Sequence, residues 1–453
     1  MKPSTLGELK ARYPLDKLRR SVREEARENL VARLKSGAPL FPGIHGYEET
    51  VVPALVDAIL AGHDVIFLGT RGQAKTRLTR MLTALLDEEI PALPTPLRDN
   101  PLRPISPEGR RLVLEAGDDA PIVWVPREAR YVEKLATPDV GVADLIGDLD
   151  PIKAARLGRE MLDLEAIQYG LLPRANRGIF AIQELPDLAP KVQVALFGIL
   201  EEGEVQIRGF PLRLPLDVWL VFTANPEDYT ARGRIVTPLK DRIEAEIRTH
   251  DPRDLETALC ITLQEARLPE GVEIFNFMLR ASERVAFVAR KDPRVDPTSG
   301  VSQRLSIALI EGAAANALRR HLVFGDPAFL RPVDLLRAKF AITGKIEPSF
   351  EGEEIGVEAI AADLIARAFL EELGTEGLAP VRAFFEAGGR VAVPEGPLGE
   401  VRSALAEVPG LLEAARRPHE GKNAALARAE GYLEALVGEG FLMRSEDGYR
   451  RAP

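Results

Sequence analysis

An apolar run, Asp64–Leu68 (DVIFL), leads directly into Gly69–Thr76 (GTRGQAKT), and a helical pattern, Lys75–Glu88 (KTRLTRMLTALLDE), follows at once. Strand, glycine-bearing loop and helix in that order leave few architectures open. Small residues let backbone N–H groups wrap phosphates, a lysine meets the β- and γ-phosphates, and a hydroxyl serves magnesium. Gly69, Thr70, Arg71, Gly72, Gln73, Ala74, Lys75 and Thr76 are therefore expected to bind ATP, with Thr76 as a Mg2+ ligand. Ala74 stands where the pattern has glycine, and its Cβ would crowd the phosphates or reshape the loop. The competing reading is a strand–helix turn with an incidental lysine.

Four more β-rich runs alternate with helical patterns: Pro121–Val125, Gly178–Ile182, Val218–Ala224 and Ile243–Ile247. Apart from the last, the runs are nearly continuous in apolar character, as in strands buried on both faces of a parallel sheet. The expectation is a doubly wound α/β domain over 38–250, five parallel strands with helices on both faces and the ligand beyond the strand carboxyl ends. Residues 91–107 carry six prolines and read as a loop. Residues 1–37 read as an N-terminal arm of two helices split at Pro14, on the bland view solvated. From 251 to 343 the pattern is helical and suggests a lid. Gly344–Gly356 reads as a linker or exposed β-ribbon, opening an extension that runs to residue 453. It closes with a helix, a turn at Gly438–Gly440 and a hairpin through Glu446–Gly448. A winged helix or any other small α+β module looks like this.

Composition narrows the class. The 453 residues carry a net charge of −10, which argues against a chain coated in nucleic acid. Cys260 is the one cysteine and the five histidines are scattered, so neither an intrachain disulfide nor a zinc site is expected. No run of about 18 apolar residues appears and the first residues lack a signal-peptide core. A cytoplasmic protein with no membrane contact is expected.

Further motifs follow the strands. Arg177–Leu185 (RGIFAIQEL) ends an apolar strand at Gln183 and Glu184. Such a strand usually brings a carboxylate that orders magnesium and then a base that aligns water. Glu184 suits the second role. Gln183 is neutral and would reach Mg2+ only through a water. Asn225, in Val221–Tyr229 (VFTANPEDY), can orient the attacking water, or it is merely an Asn-Pro turn. Arg242, in Thr237–Ile247 (TPLKDRIEAEI), can reach a neighbouring subunit's γ-phosphate; read alone, it is a surface ion pair. Arg304 opens an apolar helix and can sense the γ-phosphate in cis, or it is only a helix-start arginine.

Taken together, these residues resemble the AAA+ ATPases of the magnesium-chelatase small-subunit and MoxR type, over roughly residues 38–340. Phe41–Val51 (FPGIHGYEETV) looks like that family's nucleotide-pocket mouth, which implies Ile44 and Gly46 near the adenine. Gly170–Gly209 resembles the region carrying Walker B, a helix and a pre-sensor hairpin, here Glu204–Leu212. NPEDY resembles sensor 1, LKDRI the arginine-finger segment and SQRLSIAL the sensor-2 helix. The resemblance implies a homo-oligomer, commonly a hexameric ring. It also implies a protein client, in some members a von Willebrand-type domain protein. Within it, Glu184, Asn225, Arg242 and Arg304 would serve hydrolysis. Ala74 and Gln183 depart from the pattern and favour an alternative, a nucleotide-gated scaffold with little turnover. A magnesium–porphyrin chelatase subunit and a DNA-associated motor are the remaining alternatives. The net charge and a hairpin with a single cation, Arg208, weigh against the motor.

Overall fold

The computed structural model describes residues 2–149, 167–207, 213–226, 234–297, 300–445 and 448–453. The chain divides into two compact units, Met1–His250 and Asp251–Pro453.

The first unit is built on five parallel strands: β1 (Val65–Leu68), β2 (Tyr131–Leu135), β3 (Gly178–Gln183), β4 (Val218–Ala224) and β5 (Ala245–Arg248). Their order is β5-β1-β4-β3-β2. Every residue of β1, β3 and β4 is buried, as strands covered on both faces must be. Side chains alternate between two cores. Ile66, Leu68, Phe180, Ile182, Leu220 and Phe222 enter one; Val65, Phe67, Ile179, Trp219 and Val221 enter the other. Register pairs Leu68 with Ala224, Phe222 with Ile182 and Leu135 with Gln183, which brings the strand carboxyl ends together.

Several expectations need correction. The run Pro121–Val125 is not a strand of this sheet. Val123–Pro126 pairs antiparallel with Glu89–Ala92 in a separate ribbon, so part of the proline-rich loop is also strand. The edge position belongs to β2, which is only partly buried and carries Glu133 and Lys134. The helix after the phosphate loop is Lys75–Met81, continued by a 3-10 turn to Leu85. The N-terminal residues form three helices, and they are not a solvated arm. Val22, Ala26 and Leu30 of the third, Val22–Ser36, are buried in the sheet's second core. Glu25 from that helix meets Arg130 in a buried bidentate pair at 2.8 and 2.6 Å. The strand Glu204–Gln206 of the expected hairpin pairs with Arg213–Pro215; Arg208, Gly209 and Leu212 lie outside the described residues.

The second unit is helical and has one core, running from Phe277 to Leu442. Gly344–Gly356 is neither linker nor ribbon. Ile346 is buried, Ser349 caps the helix Phe350–Ile355, and a Cβ on Gly352 would lie 2.3 Å from the Arg294 carbonyl oxygen. Helices Val357–Leu373 and Lys422–Gly438 pack closely because glycines face the contact. A Cβ on Gly438 would meet the Ala366 carbonyl oxygen at 2.5 Å. The chain ends as a winged helix does. Ala379–Glu386, strand Arg390–Val391 and three helices precede strands Leu442–Ser445 and Gly448–Arg451. The first strand pairs with the last, Val391 opposite Tyr449; Glu446, in the expected turn, lies outside the described residues.

Candidate functional site

Gly69–Thr76 joins the end of β1 to the helix Lys75–Met81. Two residues of the loop take left-handed backbone: Gly72 at φ 79° and Ala74 at φ 56°. Glycine accepts that region freely; alanine does so only under strain. Ala74 thus keeps the loop shape without the usual residue. Gly69 is constrained differently. A Cβ there would lie 1.9 Å from Thr249 Oγ1 and 2.3 Å from Gln73 Oε1. Thr249 donates to Gln73 Oε1 at 2.8 Å, and Tyr47 Oη lies 3.0 Å from the Gln73 carbonyl oxygen. Gln73 is therefore clamped, while Arg71 is exposed at the crest of the loop. Gly46, at φ 82°, turns the chain into Tyr47, and half-buried Ile44 packs on the second core. The clamp on Gln73 ties the segment carrying Ile44 and Gly46 to the phosphate loop.

Lys75 is 6% exposed. Its ammonium donates to the carbonyls of Gly69 and Thr70, the latter at 2.9 Å, and to Asn225 Oδ1 at 3.2 Å. Asn225, buried at the end of β4, is thus joined to the phosphate lysine. Thr76 Oγ1 donates to Gln183 Oε1 at 3.1 Å. The same carbonyl oxygen accepts from Thr223 Oγ1 at 2.9 Å, and Gln183 Nε2 donates to Thr79 Oγ1 at 3.1 Å. Glu184 has left-handed backbone, φ 54°, and its N–H donates to Thr223 Oγ1 at 3.0 Å. A non-glycine residue held in that region marks a place where the surroundings impose geometry. A cavity of about 360 Å3 opens beside the loop, lined by Thr70, Gln73, Pro226, Lys240 and Arg248 among others.

The structure thus brings together the loop, Thr76, Gln183, Glu184 and Asn225. It does not bring Arg242 to them. Arg242 ends the helix Thr237–Arg242, pairs with Glu201, donates to the Pro238 carbonyl at 2.6 Å and lies 4.6 Å from the Phe197 ring centroid. Arg304 belongs to the second unit, exposed in the first turn of Arg304–Phe324. Its neighbour Gln303 is pinned inside that unit, donating to Thr262 at 2.9 Å and Glu283 at 2.5 Å. Burial pushes the Glu283 carboxyl above its ordinary range. A larger cavity, about 800 Å3, lies in the second unit between Leu336, Pro394, Glu400 and Tyr449. None of the candidate nucleotide or catalytic residues lines it, so size does not locate the expected chemistry here.

Sequence reasoning missed Thr79, Thr223, Tyr47 and Thr249. Only Thr79 left a signal, lying three residues after Thr76 on one helix face. Among the described residues no group of three or more His, Cys, Asp or Glu is placed to hold a metal. A divalent ion at Thr76 and Gln183 would meet neutral oxygens. That suits an ion whose charge is balanced by phosphates and which keeps its waters, as Mg2+ does. No described helix is long and apolar enough to cross a membrane.

No family model matches the chain. It is 30% identical over 285 residues to the magnesium-chelatase 38 kDa subunit of Rhodobacter capsulatus, covering 56% of this chain and 74% of that protein. It is 30% identical over 236 residues to the 38 kDa subunit of Cereibacter sphaeroides, covering 50% and 63%. A cryo-EM reconstruction of a complex between two magnesium-chelatase subunits aligns with a TM-score of 0.36 at 24% identity, over 70% of this chain and 98% of that one. With nearly three quarters of a relative matched at that identity, and the sheet and loop in place, the chain belongs to the AAA+ ATPases of the magnesium-chelatase type.

Proposed function

We propose that this chain binds ATP with Mg2+ at Gly69–Thr76 and hydrolyses it as a subunit of a homo-oligomeric, commonly hexameric, ring that remodels a protein partner. One observation carries the reading: Lys75, Thr76, Gln183 and Asn225 converge at the carboxyl ends of β1, β3 and β4. Lys75 and the backbone of Gly72–Thr76 would hold the phosphates, with Ile44 and Gly46 toward the adenine. Thr76 would hold Mg2+, with Gln183 meeting it through a water; the ion offsets phosphate charge. Glu184 and Asn225 would align the attacking water. Arg242, in trans, must leave Glu201 and Phe197 to reach a neighbour's phosphate. Arg304 would act in cis from a lid over 251–343. Residues 344–453 would meet the client, for which a von Willebrand-type domain is a candidate.

Gln183 supports a second reading, a nucleotide-gated scaffold, because an amide brings no charge to magnesium. Binding and steady-state turnover of ATP, measured beside Lys75→Ala, Glu184→Gln and Gln183→Asp, separate the two. Turnover that both Lys75→Ala and Glu184→Gln abolish supports the motor. Binding without turnover, with turnover created by Gln183→Asp, supports the scaffold. A folded wild type that does not bind ATP refutes both.

A further inference from the structure

Gln183 stands where the family pattern has a carboxylate, yet a carboxylate exists at the far end of a hydrogen-bond chain that starts on this amide. Gln183 Nε2 meets Thr79 Oγ1 at 3.1 Å, and Thr79 Oγ1 lies 3.0 Å from Tyr131 Oη. Tyr131 donates to Glu133 Oε2 at 2.8 Å. Arg80 grips Glu133 with Nε at 3.0 Å and Nη2 at 2.8 Å. Four of these residues come from two elements, Thr79 and Arg80 from the helix after the loop and Tyr131 and Glu133 from the edge strand β2.

The chain has a direction. The Arg80 hydrogen bonds hold Glu133 below the usual carboxylate range, so it stays ionised and only accepts. Burial holds the Tyr131 phenol up, so it keeps its proton and gives it to Glu133. With that hydrogen committed, Tyr131 can only accept from Thr79. The other acceptor for the Thr79 hydroxyl is the Thr76 carbonyl, at 2.9 Å. Thr79 therefore turns a lone pair toward Gln183, which selects the amide nitrogen. Which end of a glutamine amide faces which way is decided by such networks. Here the outcome leaves Oε1 toward Thr76 and Thr223.

We propose that Thr79, held by Tyr131 and Glu133, is the positioning residue that orients the Gln183 amide so that its carbonyl accepts the Thr76 proton and leaves the Thr76 oxygen lone pairs free for magnesium. A flipped amide would aim an N–H at those lone pairs and oppose the metal. Glu133, by committing the Tyr131 proton, reinforces from a distance the polarity that a carboxylate at 183 would have set directly. The inference rests on the magnesium–nucleotide reading of the loop.

The test measures binding of a fluorescent ATP analogue with Mg2+ and with chelator, for wild type, Thr79→Val and Thr79→Ser, each with Gln183 and with Gln183→Asp. Thr79→Val is expected to reduce the gain in affinity from Mg2+ about fivefold, the worth of one hydrogen bond at a buried group. Affinity in chelator is expected to hold, Thr79→Ser to restore the gain, and Thr79→Val to have no effect on it beside Gln183→Asp. Thr79→Ala serves as the second variant if Thr79→Val does not fold, with the same direction expected, since it too removes the hydroxyl that accepts from Gln183 Nε2. An unchanged Mg2+ gain in Thr79→Val, or a loss that persists beside Gln183→Asp, overturns the proposal while leaving ATP binding intact. A folded wild type that binds no nucleotide under either condition overturns the nucleotide reading, and this one with it.

Discussion

Ala74→Gly should stabilise the first unit, contrary to the usual effect of glycine. Ala74 sits at φ 56°, ψ 15°, in the left-handed region. That region costs an L-residue about 1–2 kcal/mol, which glycine does not incur. Glycine in turn gains freedom in the unfolded chain, worth about 0.4–1 kcal/mol against the fold. The difference is a net stabilisation of roughly 0.5–1 kcal/mol. For a unit of this size, 1 kcal/mol moves the thermal midpoint about 2–4 °C, so a rise of about 1–4 °C is expected. Trp124 and Trp219 both lie in the first unit, so tryptophan emission follows its unfolding selectively. Ala74→Val, β-branched in the same conformation, should lower the same midpoint. A midpoint for Ala74→Gly at or below wild type would refute the reasoning and show that the loop bears no strain at this position.

Three further outcomes follow from buried or closely packed groups. Glu25→Ala leaves Arg130, 1% exposed, without its carboxylate partner, and should cost the first unit about 3–5 kcal/mol in urea unfolding. Burial raises the Asp64 carboxyl to about 7, against the pull of Arg23 and the Leu220 N–H. A raised acid contributes stability that is full below its ordinary pKa and is lost as pH rises through the folded value. Urea midpoints should therefore fall between about pH 4 and 7, and Asp64→Asn should flatten that slope; equal slopes would refute the assignment. Gly438→Ala forces a methyl against the Ala366 carbonyl and should destabilise the second unit by about 1–3 kcal/mol, read by calorimetry.

The sequence disclosed the elements whose burial is complete on both faces. β1, β3 and β4 are unbroken apolar runs, and their ends carry Lys75, Gln183 and Asn225. It did not disclose β2, because an edge strand is half solvated and tolerates Glu133 and Lys134. Conversely, Val123–Val125 is apolar without belonging to the sheet, since Val125 packs in a small cluster with Ile90 and Ala92. Prolines concealed Glu89–Ala92, which a two-stranded ribbon accommodates. Around the loop, charged and glycine positions were legible because their chemistry is unusual. Threonine hydroxyls at 79, 223 and 249 were not, because threonine is common in helices and strands and only the fold shows what each one touches. Arg242 was visible as a cation, but its partners Glu201 and Phe197 lie on another helix.

The unbroken core of the second unit has a mechanical meaning. Val357–Leu373 and Lys422–Gly438 lie backbone against backbone at Gly438, and Gly431 makes room for the side chains of Leu373 and Phe369. Close-packed interiors resist compression and shear, so neither helix can slip along the other without forcing atoms into overlap. Asn276–Lys291 shares that core, so a displacement of it must carry both helices with it rather than slide past them. Shortening the chain at residue 344 would remove both helices and bare the apolar face of Asn276–Lys291 that packs in the same core.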